Sequence, residues 1–222
     1  MLDTTPPPEV LTPAAAFQNS DLVITYVVPN SEILKDVKID IYNAAHTVHY
    51  GTFYTRSERF VWTAEQNIFA TGGVPLTSVS VDIHTRSWSN TLSLAGVNVT
   101  STAPIPATPT GYASNWISDN GTASADFTTS WLASANADSY DITVDGFAYS
   151  TKDLQFVYRY DKNVKDHIAT LASGDASFIW TLRAKDKLGQ VSVPVNVTVT
   201  NAAPPSGQIA LTAATGFSTI AA

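Results

Sequence analysis

Four histidines offer the side chains that most commonly bind metal ions in proteins. His46 and His49 stand three residues apart, and His84 could lie near them in the folded chain. Residues three apart in a β-strand point to opposite faces of the sheet, so this spacing does not by itself form a chelate. We therefore expect polar residues of a surface or a sheet edge at these positions, and His167 stands alone in the sequence.

Carboxylates could perform general acid–base catalysis, which in a glycosidase requires two such groups to face each other across a cleft. Asp141 and Asp145 flank the alternating Ile142 and Val144, so we expect both on the solvated face opposite the core. The chain has no G-x-S-x-G elbow, P-loop or G-x-G-x-x-G fingerprint, and "ATGGVP" at residues 70–75 predicts a loop. We predict no enzymatic activity, catalytic residue, cofactor or metal ion; the other carboxylates considered for such a role are Glu58, Glu65, Asp161 and Asp166.

Five tryptophans could provide a platform for sugar or protein contacts. Trp131 and Trp180 each stand in a strand alternation, which predicts the core, and we expect Trp62 to be packed as well. Trp88 and Trp116 fall in the loop-like stretches "RSWSN" and "SNWISDNG" and can therefore be exposed. An exposed aromatic ring can stack on a sugar or anchor a protein contact. The alternative for both is packing against a neighbouring domain or subunit.

Composition excludes several classes of protein. The 222 residues are 44% hydrophobic and 14% charged, which suits a packed interior and not wholesale disorder. The absence of Cys removes disulfides and thiolate metal sites. A net charge of −7 without a Lys/Arg cluster argues against a nucleic-acid partner. No segment reaches the ~18 apolar residues of a transmembrane helix, and the start "MLDTTPPPEV" lacks the features of a signal peptide.

Alternation of apolar and polar residues with a period of two dominates the chain and predicts β-strands. No stretch shows a convincing helical pattern with caps, and the best candidate for one helical turn lies at residues 164–174. Short strands at roughly ten-residue spacing, separated by turn residues, are typical of β-sandwiches. The predicted core-facing positions are Leu22, Ile24, Tyr26 and Val28, then Val37, Ile39 and Ile41, then Val79, Val81 and Ile83, and in the second half Phe127, Thr129, Trp131, Tyr140, Ile142, Val144, Phe178, Trp180 and Leu182.

The two halves of the chain are copies of each other. "RFVWTAEQNIF" at residues 59–69 matches "QFVYRYDKNVK" at residues 155–165, and "VNVT" recurs at Val97 and Val195. Ser93 matches Ser192 in the same way, at an offset of 99 residues. A repeat of about one hundred residues is the size of one small β-sandwich. We predict domains at residues 1–104 and 105–204.

Proline-containing joints follow each copy. "APIPATP" at residues 103–109 and "AAPPSG" at residues 202–207 stop a strand and give a short, semi-rigid linker. Pro194 is predicted inside the last strand of the second copy, which must then be an edge strand. Residues 205–222 predict a linker and the first strand of a further domain, so the chain would be a piece of a longer protein. The alternative is a C-terminal tail that packs on the second domain.

Several residues of the second copy resemble those of a fibronectin type III domain. Trp131 in the second strand, Tyr140 opening the third, and Asp186, Gly189 and Ser192 at D-x-x-G-x-x-S spacing carry the resemblance. The first copy departs from this pattern, with Tyr26 at the Trp position and Ser87 and Asn90 at the Asp and Gly positions. The resemblance implies an all-β fold of two fibronectin type III (Ig-like) β-sandwich domains in tandem, with the start of a third.

The closing strands of the "VNVT" type and the Ala-Pro joints are similar to fibronectin type III arrays in tail proteins of tailed bacteriophages. This resemblance implies a non-enzymatic virion structural protein, a spacer or scaffold of a tail tip, hub-attached or central fibre protein. Its implied partners are other tail proteins, copies of itself including homotrimers, and the host surface. The alternative is a carbohydrate-binding or adhesion module of a bacterial surface protein or of a secreted glycan-degrading enzyme.

Overall fold

The computed structural model describes residues 5–115, 118–119, 122–123, 127–144, 146–158 and 177–200. The first part of the chain forms a β-sandwich of a three-stranded sheet, in the order β1-β2-β5, and a four-stranded sheet, in the order β4-β3-β6-β7. All pairings within these sheets are antiparallel. The strands are β1 (Leu11–Gln18), β2 (Asp21–Val27), β3 (Leu34–Asn43), β4 (His49–Thr55), β5 (Arg59–Trp62), β6 (Ser78–Ser87) and β7 (Val97–Thr102).

The core of this sandwich lies between the inward faces of the two sheets, as the alternation predicts. Leu22 and Ile24 of β2 face Ile39 and Val81 of the other sheet's strands, and all four side chains are fully buried. Trp62, at the end of β5, is also buried in this cluster, which confirms the prediction that it is packed. Because the inward-facing apolar residues of β2, β3 and β6 are buried, the register of these strands is fixed, since a one-residue slip would expose them.

The second part of the chain repeats this arrangement strand for strand. One sheet has the order β14-β11-β8 and the other the order β13-β12-β15-β16, and β9 and β10 form a separate antiparallel pair. The strands are β8 (Ala113–Asn115), β9 (Ser118–Asp119), β10 (Thr122–Ala123), β11 (Phe127–Ser130), β12 (Ser139–Val144), β13 (Phe147–Thr151), β14 (Gln155–Tyr158), β15 (Ser177–Lys185) and β16 (Val195–Thr200).

Aromatic rings fill the core of the second sandwich. Trp131 and Trp180 are both buried, with ring centroids 6.3 Å apart, and Tyr140 packs on Trp131 at 5.3 Å. Ile142, Val144, Leu182 and Ala184 complete the buried cluster, which confirms the core positions predicted at Tyr140, Ile142, Val144, Trp180 and Leu182. The side-chain packing of Phe127 and Phe178 lies outside the described residues.

One short helix corrects the expectation that no capped helical stretch occurs. Helix α1 (Ala64–Ala70) follows β5 and begins with a capping box, in which the side chains of Thr63 and Gln66 each bond the backbone N–H of the other. Within it, the buried Asn67 donates to the carbonyl of Leu76 and accepts from its amide, at 2.8 and 2.9 Å. These bonds hold the predicted "ATGGVP" loop against the sandwich.

The predicted place of Pro194 inside a strand is wrong by one residue. Strand β16 begins at Val195, directly after the proline, because proline has no N–H to donate to the ladder. The strand is an edge of its sheet, as predicted. The proposed helical turn at residues 164–174 and the start of a third unit after residue 205 lie outside the described residues.

Tyr26 occupies the position where the second copy has Trp131, and its hydroxyl gives a pH test of the fold. The hydroxyl donates to the carbonyl of Ser57 at 2.7 Å. Burial, with the charge of Glu58 as a second cause, raises the pKa of Tyr26 to about 12. In the unfolded chain the group titrates near 10. The folded state therefore retains a proton that the unfolded state loses, and the associated stability is complete below pH 10 and falls as the pH rises to about 12.

We expect Tyr26→Phe to remove this loss of stability at alkaline pH. At neutral pH, we expect the variant's free energy of unfolding to be lower by about 1 kcal/mol, because the hydrogen bond to Ser57 is missing. Urea unfolding of the wild type and the variant across neutral and alkaline pH would measure both effects. The difference between the two curves isolates Tyr26, because all other titrating groups are shared. An alkaline decline of equal size in both proteins would contradict the assignment.

Candidate functional site

The joint between the two sandwiches is the best-defined candidate for a functional element. The amide of Ala103 donates to the carbonyl of Thr77 in the first sandwich, at 2.7 Å. The amide of Ala107 donates to Ala135 in the second, at 3.0 Å. Only residues 104–106 lie between these anchors, and two of the three are proline. Because proline fixes its own φ and restricts the preceding residue, this linker has little conformational freedom.

A tight turn of the second sandwich projects back toward the first. It joins β15 to the segment before β16, and the carboxylate of Asp186 accepts from both the backbone amide and the side-chain amide of Gln190, at 2.8 and 2.9 Å. Gly189 closes the turn with φ +81°, a conformation that favours glycine. The D-x-x-G spacing in the sequence therefore encodes a rigid turn, which presents Lys187 and Leu188 at its tip.

Leu188 crosses from the second sandwich into the core of the first. Its side chain is 5% exposed and belongs to the same buried cluster as Val10, Ala64 and Ala103. Beside it, Nζ of Lys187 lies 3.0 Å from Oε1 of Glu65 at the start of α1. Full burial of a leucine side chain stabilises by about 1.5–3 kcal/mol, so Leu188 is the main non-covalent contribution identified at the joint.

The Lys187–Glu65 pair is exposed, so it adds little to stability. Its main contribution is to the orientation of the second domain relative to the first. The hydrogen bond that Lys187 donates to Glu65, together with the negative charge of Glu65, raises the pKa of Lys187. The pKa of Glu65 is lowered first by a hydrogen bond with its own backbone N–H and then by the hydrogen bond from Lys187. Both groups are therefore charged throughout the neutral range. The linker, the buried Leu188 and this ion pair together restrict the relative orientation of the two sandwiches.

The first sandwich has the same turn, built from different residues. The amide of Ser87 donates to the carbonyl of Thr91 at 2.9 Å, and Asn90 takes the glycine position with φ +64°. At its tip Trp88 is 60% exposed, which confirms that it lies in an accessible loop, and the guanidinium of Arg56 lies 5.4 Å from the ring centroid. Trp116, the other predicted exposed tryptophan, lies outside the described residues.

His46 and His49 are exposed polar residues in a turn and on the edge strand β4, as predicted, but their rings do not point to opposite faces. His46 lies in a turn with φ +56°, and His49 lies at a bulge of β4, so the two rings meet on one face around Tyr42 instead of pointing to opposite faces. Nε2 of His46 is 2.8 Å from Asp82, and Nε2 of His49 is 3.3 Å from Asp40. The rule that residues three apart in a strand point to opposite faces does not apply here, because neither residue has regular strand geometry.

Each of these two histidines contacts a single carboxylate. Within the described ranges, no group of three or more acidic and histidine side chains is placed to hold an ion. His84 packs beneath Gly96, where an added Cβ would overlap its ring, and its Nδ1 lies near the hydroxyl of Ser93 rather than near the other two histidines. His167 lies outside the described residues.

Of the candidate carboxylates, the three that the structure describes are dispersed rather than paired. Glu58 accepts from the amide of Val28 at 2.9 Å, and Glu65 is bonded to Lys187. Asp141 lies on the outer face of β12, as predicted, with its carboxylate 3.7 Å from Lys185. Three further candidates, Asp145, Asp161 and Asp166, lie outside the described residues.

The strand order and the two cores define the class of protein: a tandem of two fibronectin type III-like β-sandwich domains. No family model and no curated protein matches the sequence. Among solved structures, the chain is similar to a two-domain fibronectin type III segment of chicken tenascin, with 9% identity, a TM-score of 0.43, and coverage of 87% of this chain and 100% of that one.

Two further solved structures show the same kind of likeness. FN3tt is 21% identical, with a TM-score of 0.33, and the match covers 44% of this chain and 96% of that one. The fibronectin(III)-like modules of Clostridium thermocellum CbhA are 13% identical, with a TM-score of 0.29, and coverage of 87% and 93%. Among the described residues, no helix combines the length and apolar character needed to cross a membrane.

Proposed function

We propose that this chain is a non-enzymatic architectural segment that spaces and orients other modules by holding two β-sandwiches in a fixed end-to-end relation. Its domains are residues 1–104 and 105–204. The observation that supports the proposal is the burial of Leu188, a residue of the second domain, in the core cluster of the first. A flexible tether would need no such contact.

The fixed relation can be tested by distance measurements within one chain. The sequence contains no cysteine, so spin labels can be placed at two introduced cysteines without removing native ones. Thr25 and Thr143 suit this purpose because both are exposed strand residues, one in each domain. We expect a single narrow distribution of distances by pulsed electron spin resonance. A broad distribution, like that of a flexible linker, would contradict the proposal.

The ion pair gives a charge-swap prediction for the same measurement. Lys187→Glu places two carboxylates at the joint, and we expect the distance distribution to broaden because like charges repel. Glu65→Lys in addition restores an attractive pair with reversed signs, and we expect the narrow distribution to return. The same broadening in the single and the double variant would show that the pair does not orient the domains.

For the biological setting, we propose a tail tip, hub-attached or central fibre protein of a tailed bacteriophage, with other tail proteins and copies of the chain as partners. The sequence supports this through its "VNVT" closing strands and Ala-Pro joints, which resemble those of phage tail arrays. Mass spectrometry of purified particles, followed by antibody labelling in electron micrographs, tests it. We expect the label at the tail; absence of the chain from particles of its own phage would overturn this setting.

The exposed aromatic residues favour a second candidate, a carbohydrate-binding or adhesion module. Trp88 is exposed, and the half-exposed Tyr54 carries the guanidinium of Arg86 at 4.0 Å from its ring centroid. Rings with exposed faces can stack on sugars. A glycan array separates the two functions, because saturable sugar binding that Trp88→Ala abolishes would favour this candidate over a purely architectural role.

A further inference from the structure

Two arginine–aromatic stacks lie at one end of the four-stranded sheet of the first domain. The guanidinium of Arg86 lies 4.0 Å from the ring centroid of Tyr54. The guanidinium of Arg56 lies 5.4 Å from the ring centroid of Trp88. A guanidinium at such a distance is attracted to the electron-rich face of the ring. We call these four residues the arginine–aromatic patch.

The register of the sheet brings the two stacks together. Strand β3 pairs antiparallel with both β4 and β6, so these two run parallel to each other, about 10 Å apart. Tyr54 lies in β4, and Arg56 directly follows that strand. Arg86 lies in β6, and Trp88 directly follows that strand. Each arginine therefore reaches across β3 to the ring on the other side.

Arg86 is held in place by a buried carboxylate. Its Nε and Nη2 donate to the two carboxylate oxygens of Asp36, at 2.8 and 2.7 Å, and Asp36 is buried. A two-point ion pair of this kind fixes the orientation of the guanidinium. The ring of Tyr54 against it is nevertheless 51% exposed. The first stack therefore presents a ring to solvent in a fixed position.

Two cations at this end of the sheet, Arg56 and Lys35, form no ion pair within the part of the chain that the structure describes. Arg56 is exposed, and so is the ring of Trp88 against it. The ammonium of Lys35 lies 3.3 Å from Oδ1 of Asn90, a neutral acceptor in the turn that carries Trp88. The second stack therefore offers an exposed ring beside positive charge that a negative ligand can pair with.

The composition of the patch indicates the chemistry of its ligand. Exposed aromatic rings can stack on sugars, and a guanidinium pairs with a carboxylate or a phosphate through charge-assisted hydrogen bonds. The centre of a protein–protein interface is depleted in Asp and Lys. Here Asp36 and Lys38 of β3 lie between the two strands that carry the rings, which favours a saccharide over a protein partner.

We propose that the arginine–aromatic patch binds an acidic polysaccharide. Its sugar rings stack on Trp88 and Tyr54, and its carboxylate or phosphate groups pair with Arg56. This inference rests on the second candidate function, sugar binding, and adds the charge of the ligand. In a chain of net charge −7, most of the surface repels a polyanion, so binding of one reports on a local site.

Isothermal titration calorimetry with two acidic probes and their neutral counterparts tests the proposal. The acidic probes are an oligomer of galacturonic acid and phosphorylated maltohexaose, and the counterparts are the methyl-esterified oligomer and maltohexaose. We expect saturable binding of an acidic probe, tighter than that of its counterpart by about tenfold, the size of one charge-assisted hydrogen bond. The comparison of the two acidic probes shows whether the carboxylate or the phosphate is preferred.

Two variants locate the site, after circular dichroism has shown that each is folded. Arg56→Ala and Trp88→Ala should each weaken binding of the acidic probe by about tenfold. Arg183→Ala is the matched control, because Arg183 is exposed on β15 of the second domain and its removal changes the net charge equally. We expect it to bind like the wild type.

The outcomes separate this inference from the proposed functions. Equal binding of acidic and neutral probes would overturn the preference for an acidic ligand and leave sugar binding in place. Binding of neither acidic probe, or equal weakening by Arg56→Ala and Arg183→Ala, would overturn the proposed site. The spacer function is unaffected by either result, because it is tested by distances within one chain.

Discussion

Leu188→Ala should release the two domains from their fixed orientation while leaving each domain folded. Truncation of a buried leucine costs about 2–5 kcal/mol. We expect the lower end, about 2 kcal/mol, because Leu188 enters the first domain's core from a neighbouring domain, and water can fill the space that it leaves. The loss falls on the first domain, whose cluster includes Leu188. Its unfolding midpoint should decrease, and the distance distribution between labels at Thr25 and Thr143 should broaden.

A matched control separates this effect from a general effect of removing leucine. Leu94 is 88% exposed in the loop before β7, and Leu94→Ala should change neither the midpoint nor the distances. If Leu188→Ala keeps the narrow distribution of the wild type, the linker of residues 104–106 is sufficient to fix the orientation. The buried contact would then be incidental to the spacer function.

The strands and their buried faces were predictable because their signal is local. Side chains alternate with a period of two along a strand, so Val37, Ile39 and Ile41 identify the inward face of β3 without any knowledge of its partners. The sequence repeat also predicted which positions of the two domains correspond to each other. It correctly matched Ser93 with Ser192, both of which are buried after the turn and donate their amides to the end of the preceding strand.

Helix α1 was not predicted, because its sequence lacks the periodic apolar pattern of a longer helix. It has seven residues, and Phe69, its largest apolar side chain, is 89% exposed. The useful signal was the capping box of Thr63 and Gln66, a pattern of T-x-x-Q that short helices share with longer ones. The alignment with the second copy did not reveal it, because residues 159–162 there do not carry that pattern.

The joint itself could be predicted only in part. The prolines predicted a stiff linker, since their effect on φ is local. Leu188 stands in a polar turn, and only its apolar character distinguished it from its neighbours. Its burial depends on residues more than eighty positions away, such as Ala103, and no local pattern encodes such a contact. His46 and His49 illustrate the same limit, because a turn and a bulge brought them to one face.

Trp180→Ala should lower the stability of the second domain more than any other substitution proposed above lowers the stability of its domain. Trp180 is fully buried at the centre of the second domain's core, against Trp131. Removal of a buried tryptophan side chain costs about 3–5 kcal/mol, out of a typical domain stability of about 5–15 kcal/mol. Ile179→Ala is the control on the same strand, because Ile179 is 58% exposed on the opposite face, and it should change stability by less than about 0.5 kcal/mol.

The consequence for the first domain is the more informative part of this prediction. When the second domain unfolds, the turn after β15 no longer holds Leu188 in the first domain's core cluster. Denaturant titrations followed by amide NMR signals resolve the two domains separately. At concentrations where Trp180→Ala has unfolded the second domain, the first should unfold at the midpoint found for Leu188→Ala, about 2 kcal/mol less stable. A first domain that keeps its wild-type midpoint would show that Leu188 does not couple the two folds.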